Sequence, residues 1–180
     1  MFKTIVTICL VVFTTLAFGD DSISKIELTQ PSIDYDVINR VWHYLKKRTN
    51  APIDLPPPPI VLDWQVPKYA RMGFQYPTKE FPNNLLQISI APRTIDLESR
   101  DMVTWGLLHE LTHYIFVLRE NNWDTTRKVY TVTLKHHCNK EFMMITRELA
   151  DRIWDVYHAD TDKSKMYQEV IRSCGSHPDQ

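Results

Sequence analysis

His109-Glu110-Leu111-Thr112-His113 places two imidazoles and a carboxylate within one turn and a half of chain. On a helix, histidines at i and i+4 share a face, so both rings reach one ion while the intervening glutamate stands beside it. Such an ion takes a third protein ligand and keeps a position for water. The chemistry this predicts is hydrolytic. Zinc lowers the pKa of a bound water toward ~7, and the Glu110 carboxylate accepts its proton as general base. A chain of this composition would hold about 0.01 such strings by chance, so the motif is specific by itself. His109 and His113 are expected as metal ligands, Glu110 as the catalytic residue and Zn2+ as the cofactor.

The third ligand lies elsewhere in the chain, and His136, His137, Glu148 and His158 are the downstream candidates. At about 100° per residue, Glu148 falls opposite the apolar side of its helix, where an i,i+4 salt bridge to Arg152 is the simpler role. His136 and His137 stand just before Asn139, a candidate N-cap, at the mouth of the same helix. A loop there can turn back onto the His109–His113 helix. His137, nearer the helix start, is favoured, with His136 and Glu148 as alternatives.

The elements that must position these residues follow from periodicity. Ser99 to Arg119 predicts a helix apolar around most of its circumference, through Met102, Val103, Trp105, Leu107, Leu108, Leu111, Tyr114, Ile115, Phe116 and Leu118, and such a helix is central and buried. Two histidines and a glutamate inside it are costly to bury without a partner, which an ion supplies. A second helix is expected from Lys140 to about His158, with Phe142, Ile145, Leu149, Ile153 and Val156 on one side. A first helix is expected over Ser32 to Arg48, capped by Ser32, with Val37, Val41, Tyr44 and Leu45 inward. Pro52 to Pro59 stops it and runs extended as a stiff connector. Short strands are expected at Ile60–Leu62, Met72–Tyr76 and Leu85–Ile90, set off by Pro67, Pro77, Pro82 and Pro92. Together these predict an α+β, zincin-like single domain with a small antiparallel sheet, a buried HExxH helix and a long C-terminal helix. The five tryptophans read as core or semi-buried packing, and His43 as a surface residue.

Composition narrows the classes. The chain has 180 residues, 43% hydrophobic and 24% charged, with a formal net charge of -1. That suffices for one domain with a real core and gives no electrostatic case for nucleic acid. Four glycines and no GxxxxGK[ST] or GxGxxG string argue against a phosphate loop. At the N-terminus, Lys3 precedes an apolar run from Ile5 to Leu16, too short for a bilayer, which needs roughly 20 apolar residues. Ala17 and Gly19 then sit at the -3 and -1 positions of a cleavage site. Residues 1–19 are therefore expected to be a signal peptide, cleaved near Gly19, and 20–180 a single secreted or periplasmic domain without a membrane span. In an oxidising compartment Cys138 and Cys174 can pair, for roughly 3–4 kcal/mol in the chain-entropy model, or remain two thiols.

With these pieces in order, the chain resembles the SprT-like (Spartan-like) metalloprotease domain over about residues 32–157. The matching segments are an amphipathic helix at Asp36 to Arg48, then Leu55-Pro56, the strand at Leu85 to Ile90 and the HExxH helix at Met102 to Phe116. The closing segment is His136-His137-Cys138-Asn139-Lys140-Glu141-Phe142. The resemblance implies a zinc metalloendopeptidase with ligands His109, His113 and His137 and general base Glu110. Two features depart from the family: the spacing from the third histidine to Phe142 is longer than is common there, and no zinc ribbon or basic patch follows. The catalytic site is carried over and the DNA-associated substrate is not.

The expectation is an exported zinc-dependent peptidase acting on protein or peptide. Its rivals are a zincin using Glu148 as third ligand, a zinc-dependent binding module without turnover, and an interaction protein working through Pro56 to Pro59.

Overall fold

The computed structural model describes residues 33–66, 70–97, 100–133 and 135–157 together with Gln168; for 96–97 and 153–157 this covers the backbone alone. Residues 1–19, where a signal peptide was expected, and Ser32, His158 and Cys174 lie outside the described residues.

Helix α1 (Tyr35–Thr49) starts where Asp34 accepts the backbone N–H of Val37 at 3.1 Å, so Asp34 caps it. Three lysine and arginine side chains in its last turn suit the dipole, and Asn50, in the left-handed region at φ 54°, returns its N–H to the last carbonyls. The buried face is wider than the expected stripe: Ile38 and Trp42 join Val37, Val41 and Leu45. Tyr44 is half-buried, its hydroxyl turned toward helix α4 (Lys140–Tyr157).

Strands β1 (Ile60–Leu62), β2 (Met72–Gln75) and β3 (Gln87–Ile90) form one three-stranded sheet in the order β1-β3-β2. It is mixed, where the sequence predicted an antiparallel arrangement. β2 and β3 form the antiparallel pair, and β1 adds parallel to β3 on its other side. β1 can lie parallel to β3 because residues 63–86, which include β2, separate the two in the chain, long enough for the crossover a parallel pair needs. The sheet has two unlike faces, as strand alternation requires. Met72 and Phe74 face the helices, while Gln75, Gln87, Ser89 and Asp63 bond to one another on the other face.

After the short helix α2 (Pro92–Leu97), helix α3 (Arg100–Glu120) runs through the middle, touching α1, α2, α4, β2 and β3. It is apolar nearly all round, and thirteen of its residues are buried. The contact with β2 is close at Gly106, where a Cβ would meet the Met72 Sδ at 2.7 Å. Asn121 ends α3 and stays buried. Its Nδ2 donates to the carbonyls of Val117 and Thr131, and its Oδ1 accepts the Thr131 N–H, which folds the following loop back along the helix. A single 3-10 turn at His136–Cys138 leads into α4, whose first N–H groups at Glu141 and Phe142 are capped by Asn139 Oδ1 at 2.9 and 3.1 Å. Phe142, Ile145, Leu149 and Ala150 bury against α3. No helix among the described residues is long and apolar enough to cross a membrane. Trp42 and Trp105 are core residues, but Trp64 is 84% exposed, against expectation: it follows β1 in a turn that carries it past the sheet.

Candidate metal centre

α3 brings His109, Glu110 and His113 to the side facing β2 and the 3-10 turn. Their spacing does what a helix dictates, since i and i+4 side chains stack one turn apart. The ring centroids of His109 and His113 are 4.8 Å apart. The turn before α4 delivers His137 to the same point. The Nε2 atoms of His109, His113 and His137 form a triangle with edges of 3.2 Å (109–113), 3.0 Å (109–137) and 2.8 Å (113–137). Tetrahedral zinc with bonds of about 2.0–2.1 Å separates its nitrogens by about 3.3 Å. The triangle is of that size and slightly tighter, so the three residues can hold a metal ion.

The surroundings keep the rings of His109 and His113 neutral, as ligands must be. Burial, followed by the nearby His137, lowers the His109 pKa to about 3. Burial and the three neighbouring imidazoles lower that of His113 as well. Three lone pairs pointing at one spot repel unless a cation sits there, and this is the physical case for an ion. The three residues are half-buried, so the centre is not fully enclosed.

Glu110 follows His109 on α3 and turns toward β2. Burial raises its pKa to about 7, against the pull of the Phe74 N–H, which donates to Oε2 at 2.8 Å. That N–H comes from the outer side of β2. Arg71 and Ala91 are a hydrogen-bonded pair, Ala91 N–H donating to the Arg71 carbonyl, so by alternation Met72 and Phe74 turn their backbone groups away from β3.

Both histidines of the His136-His137 pair are used, in different ways. His136 is not in the ligand triangle. Its Nδ1 lies 3.0 Å from His113 Nδ1, and its Nε2 lies 3.2 Å from Glu120 Oε1. Glu120 Oε2 in turn accepts the N–H and hydroxyl of Thr133 at 2.8 and 3.0 Å. Burial works against the Glu120 carboxylate, but the bonds from Thr133 and His136 outweigh it and hold its pKa below the usual range.

Glu148 stands apart from the centre. Its carboxylate bonds the Tyr44 hydroxyl and the Arg48 guanidinium, which lowers its pKa and ties α4 to α1. Arg152, the expected i+4 partner, lies over the Tyr44 ring at 3.6 Å and acts on Glu148 through its charge. His43 is exposed on α1 as predicted. Cys138, next to His137, is disulfide-bonded.

Sequence reasoning passed over four contributors. Glu120 and Thr133 carry no motif. Phe142 served only as a helix landmark, yet its ring is 0% exposed and lies 4.5–5.8 Å, centroid to centroid, from all four histidines. Its place as the first large apolar residue after an N-cap was the available signal. The Phe74 N–H is a backbone group, and no side-chain motif could have flagged it.

No protein-family model, no curated protein and no solved structure matches the chain.

Proposed function

We propose that the protein is an exported zinc-dependent metallopeptidase of SprT-like character. The observation that carries this reading is the meeting of three Nε2 atoms within 2.8–3.2 Å of one another, with Glu110 next to His109 on the same helix. His109, His113 and His137 would hold the ion. When bound, zinc supplies the Lewis acidity that lowers the pKa of a water to about 7 and polarises a carbonyl.

The chain's own residues do the rest. Glu110, poised near neutrality, accepts a proton from the attacking water and passes it to the leaving amine as the C–N bond breaks. Phe142 packs the imidazoles in fixed orientations. Peptide as the substrate class is supported by β2. It is an edge strand among the described residues, and the Met72 and Phe74 backbone groups turn away from β3, where the Phe74 N–H is taken by Glu110, so an added extended chain would pair along the rest of that edge. The segments that resemble the SprT-like domain point the same way, and the apolar N-terminal run with its small-residue site supports export.

The test is zinc content of purified protein together with cleavage of an unstructured protein substrate. One zinc per chain and cleavage lost in Glu110→Gln support the reading. Zinc without cleavage would leave a binding module, and no zinc would remove the enzyme.

A further inference from the structure

Two imidazole nitrogens that face each other at 3.0 Å, as His113 Nδ1 and His136 Nδ1 do, cannot both donate or both accept. One must carry the proton and the other a lone pair. Which is which is settled at the far end of the chain of contacts. The Glu120 carboxylate is acceptor-only, and Thr133 occupies its Oε2 with two donors, leaving Oε1 for His136 Nε2 at 3.2 Å. His136 Nε2 therefore carries a hydrogen. A neutral His136 then has its lone pair on Nδ1 and accepts from His113. That fixes the His113 hydrogen on Nδ1 and turns the Nε2 lone pair toward His109 and His137.

We infer that Glu120, acting through His136, is a positioning residue that sets the His113 tautomer for metal ligation. The inference rests on the metallopeptidase reading of the centre for its purpose, though not for its geometry. Packing supports it. His136 is buried, its ring stacks on Phe142 at 5.8 Å and meets Phe116 edge-on at 5.4 Å, so it has little freedom to swing away. The contrast with His109 is informative. Its Nδ1 is buried with no hydrogen-bond partner among the described residues, so the ordering that outer contacts give a metal ligand reaches His113 and not His109. The two adjacent histidines thus divide the work, His137 as ligand and His136 as the link from ligand to carboxylate.

The test has two arms on the full chain. In the first, ring-15N NMR of the wild type reads the tautomers with and without added zinc. The expected result is hydrogen on Nε2 of His136 and on Nδ1 of His113 in both states. Hydrogen on His136 Nδ1, or on His113 Nε2 in the metal-free protein, overturns the relay, and no variant is needed to see it. In the second, chelator competition measures zinc affinity for wild type, Glu120→Gln and His136→Phe, with circular dichroism as the check on folding. Loss of about 10–100-fold in both variants is expected. Unchanged affinity in both overturns the proposal. A wild type that binds no zinc defeats the metallopeptidase reading instead, and the metal-free tautomers then decide the relay alone.

Discussion

The Oε2 of Glu110 accepts the backbone N–H of Phe74 at 2.8 Å, joining the middle of α3 to the outer edge of β2. Two opposed effects act on this carboxylate. Burial disfavours its charge and the N–H favours it, and burial prevails, so the group titrates at about 7. A general base is most effective when its pKa lies near the working pH. In the proposed reaction, that tuning would come from how a helix packs on a strand.

Glu110→Gln keeps the shape of the side chain and removes the base. Zinc content and the circular dichroism spectrum should match the wild type, while kcat for protein cleavage should fall about 10²–10⁴-fold. A variant that retains full activity removes Glu110 from the mechanism.

The ligand assignment is separable by substitution. His137→Ala should lose stoichiometric zinc. Glu148→Ala should keep it, because that carboxylate is engaged by Tyr44 and Arg48. Metal analysis of the two purified variants reads both outcomes, and the reverse pattern would restore a glutamate-type centre.

The metal-free protein should lose stability as pH falls from about 6.5 to 4.5. His109, His113 and His136 have pKa values lowered by burial. The unfolded chain therefore binds more protons than the native one below about 6.5, and their contribution disappears as pH falls. Glu110 acts oppositely. With its pKa raised to about 7, the native state keeps a proton that the unfolded state releases above about 4.5, so its contribution falls as pH rises. Three groups outweigh one. Urea denaturation across this range should show a positive slope, and Glu110→Gln should make it steeper. A flat profile in both proteins would contradict the burial of these groups.

Phe142→Ala should destabilise by about 3–5 kcal/mol, since it empties a fully buried site where repacking is hindered by four imidazoles. Phe142→Leu should cost less and still weaken zinc binding, because the rings lose their shared wall. Urea unfolding and chelator competition on the same samples report the two effects.

Arg48→Ala tests the tie between α1 and α4. Both side chains of the Arg48–Glu148 pair are about one-third exposed (32% and 35%), so solvent screening limits the loss to about 0.5–1 kcal/mol. Zinc content should not change. A larger loss in thermal unfolding would mean that the Tyr44 hydroxyl bond depends on the same arginine.

Much of the centre was legible along the chain because it is local. HExxH needs only the 3.6-residue period to bring His109, Glu110 and His113 to one face. The central burial of α3 follows from an apolar circumference, and the α4 cap follows from Asn139 at its start. Even the choice of His137 came from its distance to that helix. Asp34 was the exception among caps. It competes with a serine two residues earlier, and only the bond to the Val37 N–H separates them.

What the tertiary structure alone decided is every relationship that spans the chain. β1 lies parallel to β3, which the sequence could not show because period-two alternation carries no sign of strand direction. Glu148 bonds Arg48, one hundred positions away in sequence, while Arg152 acts on it through its charge. His136 and His137 are neighbours of identical chemistry, so no pattern could give them different work. The 3-10 turn points one ring at the ligand triangle and the other at Glu120. Spacing along a helix fixes which side chains share a face, whereas their partners across the fold depend on how whole elements pack.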